Sequence, residues 1–124
     1  MKILDVESVD EIHDEILSYS GGLQGKSLDR PIESVLHRVY NHMLYGGSVD
    51  IYQAAALYAY SIAEGHPYLD GNKRTAMTSM LVFLELNGKS FGASDFQLVE
   101  KMVQIADGSI SLKRFTVWVR QNII

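Results

Sequence analysis

The sequence contains no cysteine. That excludes disulfide scaffolds, thiolate zinc sites and cysteine nucleophiles. Proline is scarce, with two residues, and the ten glycines are scattered, so no low-complexity tract or linker exists. No long apolar run is present either. The longest, Ala54–Ala63, is broken by tyrosines and Ser61 and is too short to span a bilayer. The start, Met1-Lys2-Ile3-Leu4-Asp5, meets an acid before any apolar core develops, which is not the pattern of a secretory signal. A cytoplasmic protein with no membrane partner is expected. Positive charge is not in excess: the net charge is −4 and the pI about 5.5. No broad basic footprint for nucleic acid follows from that.

What is present is ordinary for a globular chain: 124 residues, 47% hydrophobic and 21% charged. This length predicts one domain over 1–124. Surface scaling gives roughly 6,700 Å² folded against roughly 20,000 Å² unfolded, enough burial for a core without staples.

The apolar spacing is helical almost throughout. Val9, Ile12, Ile16 and Leu17 recur at three- and four-residue steps. Ser8 with Glu11 fits a capping box at the start of that helix, and Gly21-Gly22 is its stop. A second helix is expected from Asp29 or Arg30, with Pro31 tolerated in the first turn and a stripe through Ile32, Val35, Leu36 and Val39. Asp50 is the cap of a third, Ile51–Glu64, which is apolar on most faces and so predicted to be central. A fourth runs from Asn72 or Lys73 to Leu86. Ser94 with Gln97 opens a fifth, and Ser111 a sixth. The fold class is all-α, a bundle of about six helices. Lys89-Ser90-Phe91 and Lys2-Ile3-Leu4 could pair as a small ribbon.

The segment His66-Pro67-Tyr68-Leu69-Asp70-Gly71-Asn72-Lys73-Arg74 does not read as packing. Pro67 disfavours helix at His66, so extended backbone is expected there. Asp70-Gly71-Asn72 is turn chemistry. The segment thus ends as a helix begins, where unpaired N–H groups and the dipole favour anions such as phosphate. Lys73 and Arg74 stand in that first turn against the dipole, and an anionic ligand gives them a reason. Asp70 supplies the hard oxygen that Mg²⁺ prefers. His66 has a side chain suited to taking a proton near neutral pH. The other histidines, His13, His37 and His42, lie on helical patterns and read as structural or surface groups.

These residues resemble the Fic/Doc family, whose motif reads His-Pro-Phe-x-Asp/Glu-Gly-Asn-Gly/Lys-Arg ahead of a helix. Here tyrosine replaces the phenylalanine. Thr75-Ala76, the Phe83-Leu84-x-x-Asn87-Gly88 ending and the Gly21-Gly22-Leu23-x-Gly25 turn are also similar. Members that attach AMP usually carry glycine after the motif asparagine and a second arginine three residues past the first. Lys73 and Met77 stand there instead, which resembles the death-on-curing (Doc) branch.

The resemblance implies a toxin of a toxin–antitoxin pair. Its activity would be a protein kinase that moves the γ-phosphate of ATP to a hydroxyl of a translation factor of the elongation factor Tu class, arresting growth. His66 would be the general base, Asp70 the Mg²⁺ ligand, Gly71 and Asn72 the backbone approach to phosphate, and Lys73 and Arg74 the phosphate-binding cations. An AMP transferase using the same residues, or a non-catalytic module of the same fold, are the alternatives. The family's flap, a hairpin before the motif, would fall at Tyr45–Val49, where the residues read equally well as a plain loop. No glutamate has Ser or Thr four residues before it, so the self-inhibitory helix of many members is missing. Restraint is then expected from an antitoxin.

Overall fold

The structure is a computed structural model describing residues 1–124. It contains α1 (Val6–Ser20), α2 (Ile32–Tyr45), α3 (Ile51–Gly65), α4 (Asn72–Leu86), α5 (Asp95–Ala106) and α6 (Leu112–Gln121). The architecture is all-α, and two isolated bridges are its only β pairing. Its accessible area of 6903 Å² matches the size expected for a compact chain of this mass.

Local chemistry sets most helix starts. Asp50 and Gln53 form a reciprocal capping box on α3, and Ser94 with Gln97 forms another on α5. Ser111 accepts from the Arg114 N–H on α6. At α1 the cap is Asp5, not Ser8: its carboxylate accepts from the Ser8 N–H at 2.8 Å. The helix starts three residues earlier than the Ser8–Glu11 spacing suggests, because Leu4 and Val9 are both buried and their packing selects the upstream cap. The second helix starts at Ile32 with Pro31 as its cap, slightly later than expected.

The third helix is the centre. Ala54, Ala55, Ala56, Ala59 and Ala63 are all fully buried, and small side chains let α2, α4, α5 and α6 pack closely around it. Phe83 on α4 and Phe115 on α6 are fully buried too, each worth ~1.5–3 kcal/mol relative to exposure. Gly65 ends α3 against α2: a Cβ there would lie 2.9 Å from Cγ2 of Val35. That close approach fixes where the next residue, His66, leaves the helix.

Two β features that the sequence left open are absent. Residues 45–49 form no hairpin; Gly46 ends α2 and a loop of bends leads to Asp50. The Lys2–Leu4 segment does not pair with Lys89–Phe91. Leu4 is held by Tyr58, whose hydroxyl accepts from the Leu4 N–H and donates to its carbonyl, both at 2.9 Å. Lys2 is held by Asn87. Phe91 instead bridges Ile123, through Gly92 N–H to Asn122 O and Ile124 N–H to Ser90 O. The N-terminal segment is occupied by side chains, so the C-terminus takes the free strand edge.

Candidate active site

The loop between α3 and α4 carries His66–Gly71. His66 closes α3 with φ 47° and ψ 58°, the one residue other than glycine with positive φ. It is left-handed, not extended as the following proline suggested. The reason is tertiary. The next residues are pinned to the 25–27 segment by Ser27 N–H to Pro67 O (2.8 Å) and Leu69 N–H to Gly25 O (3.1 Å), and the chain must turn at once after Gly65 to reach them. A non-glycine residue in this region costs ~1–2 kcal/mol, and such strain concentrates at functional sites. The His66 side chain is exposed; the histidine hydrogen bond and ion pair of this structure both belong to His13.

Gly71 caps α4 with φ 80°, and no side chain caps that end. The first helical bond is Thr75 N–H to Gly71 O, so the N–H groups of Asn72, Lys73 and Arg74 have no partner in the chain. The first turn holds no acid. Lys73 and Arg74 are exposed and take no part in any ion pair. A helix start of this kind, without cap or counter-charge, is suited to an anion.

Asp70 lies between these groups. Its Oδ2 accepts from the Leu23 N–H at 2.7 Å, leaving Oδ1 free. No group of three or more His, Asp or Glu side chains could hold a metal ion by itself. One free carboxylate oxygen fits Mg²⁺ as that ion is commonly held, by one or two carboxylates together with phosphate oxygens and water. His66, Asp70, Gly71, Asn72, Lys73 and Arg74 all line one cleft of about 470 Å³, with Ile16 and Ser20 of α1 on its far wall. A larger cavity of about 580 Å³ lies between the end of α2, α3 and α6. It holds none of the motif residues, so convergence of chemistry and not size identifies the site.

Asn72 gives its side chain to the loop and its backbone N–H to the helix start. Its side chain clasps the Tyr68 main chain, accepting the N–H at 2.9 Å and donating to the carbonyl at 2.8 Å. Only its backbone N–H faces outward as part of the helix start.

The parts played by four residues, His13, Asp10, Lys26 and Leu23, escape a reading of the sequence alone. His13 is buried, contacts the Asp70 carbonyl through Nε2 at 2.8 Å, and stacks on Tyr68 with centroids 3.7 Å apart. The Tyr68 hydroxyl donates to Asp10 Oδ1 at 2.7 Å, and Asp10 Oδ2 is paired with Lys26 at 3.0 Å. Burial, followed by the Asp10 hydrogen bond, pushes the Tyr68 phenol well above its ordinary range. Hydrogen bonds to Asp10 and Glu33 raise Lys26. The spacing of Asp10 and His13 on one face of α1 was the available sign. The Gly21-Gly22-Leu23 turn was visible, but not that Leu23 would hold the Asp70 carboxylate.

A loop built this way, feeding an uncapped helix in an all-α bundle, gathers a histidine, a carboxylate and two cations in one cleft. Residues 3–84 match the model of the Fic/DOC family, and the chain belongs to that family. It is similar to "Protein kinase doc" of Escherichia phage P1, 35% identical over 112 residues, which is 90% of this chain and 88% of that protein.

Proposed function

We propose that this chain is a protein kinase toxin that moves the γ-phosphate of ATP to a hydroxyl of a target protein of the elongation factor Tu class. The observation that carries it is the free His66 imidazole in the same cleft as Asp70, the uncapped start of α4 and two unpaired cations. The name of the phage P1 relative supports transfer of phosphate over AMP, as do Lys73 and Met77 in place of the AMP-transferring pattern.

In this reading the triphosphate lies across the N–H groups of Asn72, Lys73 and Arg74. His66 takes the proton of the target hydroxyl, whose oxygen bonds to Pγ as the bond to the ADP oxygen breaks. Lys73 and Arg74 neutralise charge that builds on the phosphoryl oxygens; such transfer depends on positioning and electrostatics. Mg²⁺, when bound, neutralises phosphate charge beside the free oxygen of Asp70. Restraint by an antitoxin completes the proposal. No helix of the structure is long and apolar enough to cross a membrane.

The test is label transfer to elongation factor Tu from ATP carrying the label on either the γ or the α phosphate. Transfer from γ alone is expected, falling by ~10²–10⁴ in His66→Ala. Transfer from α would replace this reading with AMP transfer. Growth arrest that persists in His66→Ala would point to a non-catalytic module.

A further inference from the structure

His13 is the histidine that α1 buries, at 2% exposure, and the chemistry proposed for the cleft does not use it. Its ring is engaged on three sides. Nε2 meets the Asp70 carbonyl oxygen at 2.8 Å. One face lies on Tyr68, nearly parallel at 9°. Nδ1 lies 3.5 Å from Oδ1 of the exposed Asp14. A carbonyl oxygen only accepts, so Nε2 carries a proton and donates it.

The surface His13 rests on is itself fixed. Tyr68 is bonded to Asp10, Asp10 is paired with Lys26, and the Tyr68 main chain is clasped by Asn72. Asp70 is therefore held at two points. His13 holds its carbonyl from α1, and the Leu23 N–H holds its Oδ2 from the turn after α1. The remaining oxygen, Oδ1, is the one with no partner in the chain. His13 also walls the adjoining turn: a Cβ at Gly71 would sit 3.6 Å from its Cδ2.

We infer that His13 is a positioning residue for Asp70: its Nε2–H and its stack on Tyr68 set the direction of the free carboxylate oxygen, and so how strongly the cleft takes a divalent cation together with a nucleotide. The consequence for cation binding rests on the phosphoryl-transfer reading; the His13–Asp70 contact does not. Groups that orient a metal-binding residue in this way typically govern 10–100-fold in metal affinity.

Two variants separate the donor from the ring. His13→Phe keeps a planar ring against Tyr68 and removes the donor. His13→Gln keeps a donor at the reach of Nε2 and removes the ring. The probe is an ATP analogue with a methylene between its β and γ phosphorus atoms, titrated by calorimetry over a range of MgCl₂. The half-saturating Mg²⁺ is expected to rise by about tenfold or more in His13→Phe, with His13→Gln recovering most of the loss. Affinity for the analogue without Mg²⁺ should be unchanged in both. A purely structural role would lower the melting temperature and the folded fraction without moving the Mg²⁺ midpoint of the folded protein. An unchanged midpoint in His13→Phe overturns the inference.

A second measurement needs no variant. Nitrogen-15 NMR of the wild-type chain should show a protonated Nε2 with slow proton exchange. A neutral ring protonated on Nδ1 overturns the inference even where the variants fail to fold. Should the wild type bind no Mg²⁺-nucleotide at all, the phosphoryl-transfer reading fails by itself. The Nε2 proton, with displaced Asp70 and Leu23 amide signals in His13→Phe, then decides the contact alone.

Discussion

Asn72 grips Tyr68 by both of its main-chain groups, with Oδ1 accepting the N–H at 2.9 Å and Nδ2 donating to the carbonyl at 2.8 Å. One side chain at the first position of α4 thereby closes the loop that carries His66 and Asp70. Its two hydrogen bonds join residues four apart in sequence across the turn.

Replacing Asn72 should accordingly loosen the loop. Asn72→Ala leaves both Tyr68 main-chain groups without partners in a half-buried setting, at a cost of ~1–3 kcal/mol. Asn72→Asp retains one acceptor but places an anion in the first turn, so its affinity for ATP should fall further than its stability alone explains. Urea unfolding and nucleotide titration of the two variants provide the check. An Asn72→Ala midpoint equal to wild type would contradict the clasp.

Gly71→Ala should destabilise through the backbone. The glycine has φ 80°, while an added Cβ would meet Leu17 Cδ2 at 3.4 Å and His13 Cδ2 at 3.6 Å, which is ordinary contact. The cost is then the left-handed penalty alone, ~1–2 kcal/mol. Gly71→Asn should lose less, since asparagine enters that region more readily. Both variants should shift the urea midpoint at an unchanged denaturant slope; an Asn variant as damaged as the Ala variant would show that space, not φ, is limiting.

Stability should fall on the alkaline side. Burial, and then the hydrogen bond to Asp10, raises Tyr68; burial first also raises Tyr58 and Tyr40. The ordinary phenol titrates near 10. Above that pH the unfolded chain releases protons that the native chain keeps, so the contribution is complete below about pH 10 and is lost as pH rises further. The urea midpoint followed from pH 8 to pH 11 should drop steeply past about 10, and Tyr68→Phe should flatten the drop. An equal slope in that variant would remove Tyr68 from the account.

Tyr58→Phe should cost ~1–3 kcal/mol while changing almost no volume. The Tyr58 hydroxyl is the partner of the Leu4 N–H, and Leu4 is 3% exposed, so the variant strands a buried donor. The Leu4 carbonyl keeps a second partner in the Tyr40 hydroxyl. Hydrogen exchange at the Leu4 amide reads the effect directly: it should become fast in Tyr58→Phe and stay slow in Tyr40→Phe.

Features that depend on neighbours in sequence were legible. Asp50 and Gln53, Ser94 and Gln97, and Ser111 each act on an N–H three residues away, and each does so in the structure. The alanine-rich stretch of α3 marked the centre because most of its faces are apolar. Where two local rules competed, reading failed. Asp5 and Ser8 are both good caps, and the burial of Leu4 beside Val9 decided for Asp5. Proline predicted extended backbone at His66, and bonds to the 25–27 segment imposed the left-handed form. The ribbon that residues 2–4 could have formed was displaced by Tyr58 and Asn87, partners more than fifty residues away.

By itself the sequence determined the class of fold and the inventory of the cleft: a histidine, a carboxylate, a helix start and two cations within nine residues. Side-chain chemistry and short-range hydrogen bonding carry that information, and both are properties of the chain order. The tertiary structure decided which of those groups is free to act. Asn72 spends its side chain on the loop, one oxygen of Asp70 belongs to Leu23, and His66, Lys73 and Arg74 are left exposed without a side-chain partner. The contacts on Asp70 depend on α1 and the turn after it docking from 57 and 47 residues away in sequence, at distances where packing, and not local propensity, selects the contact.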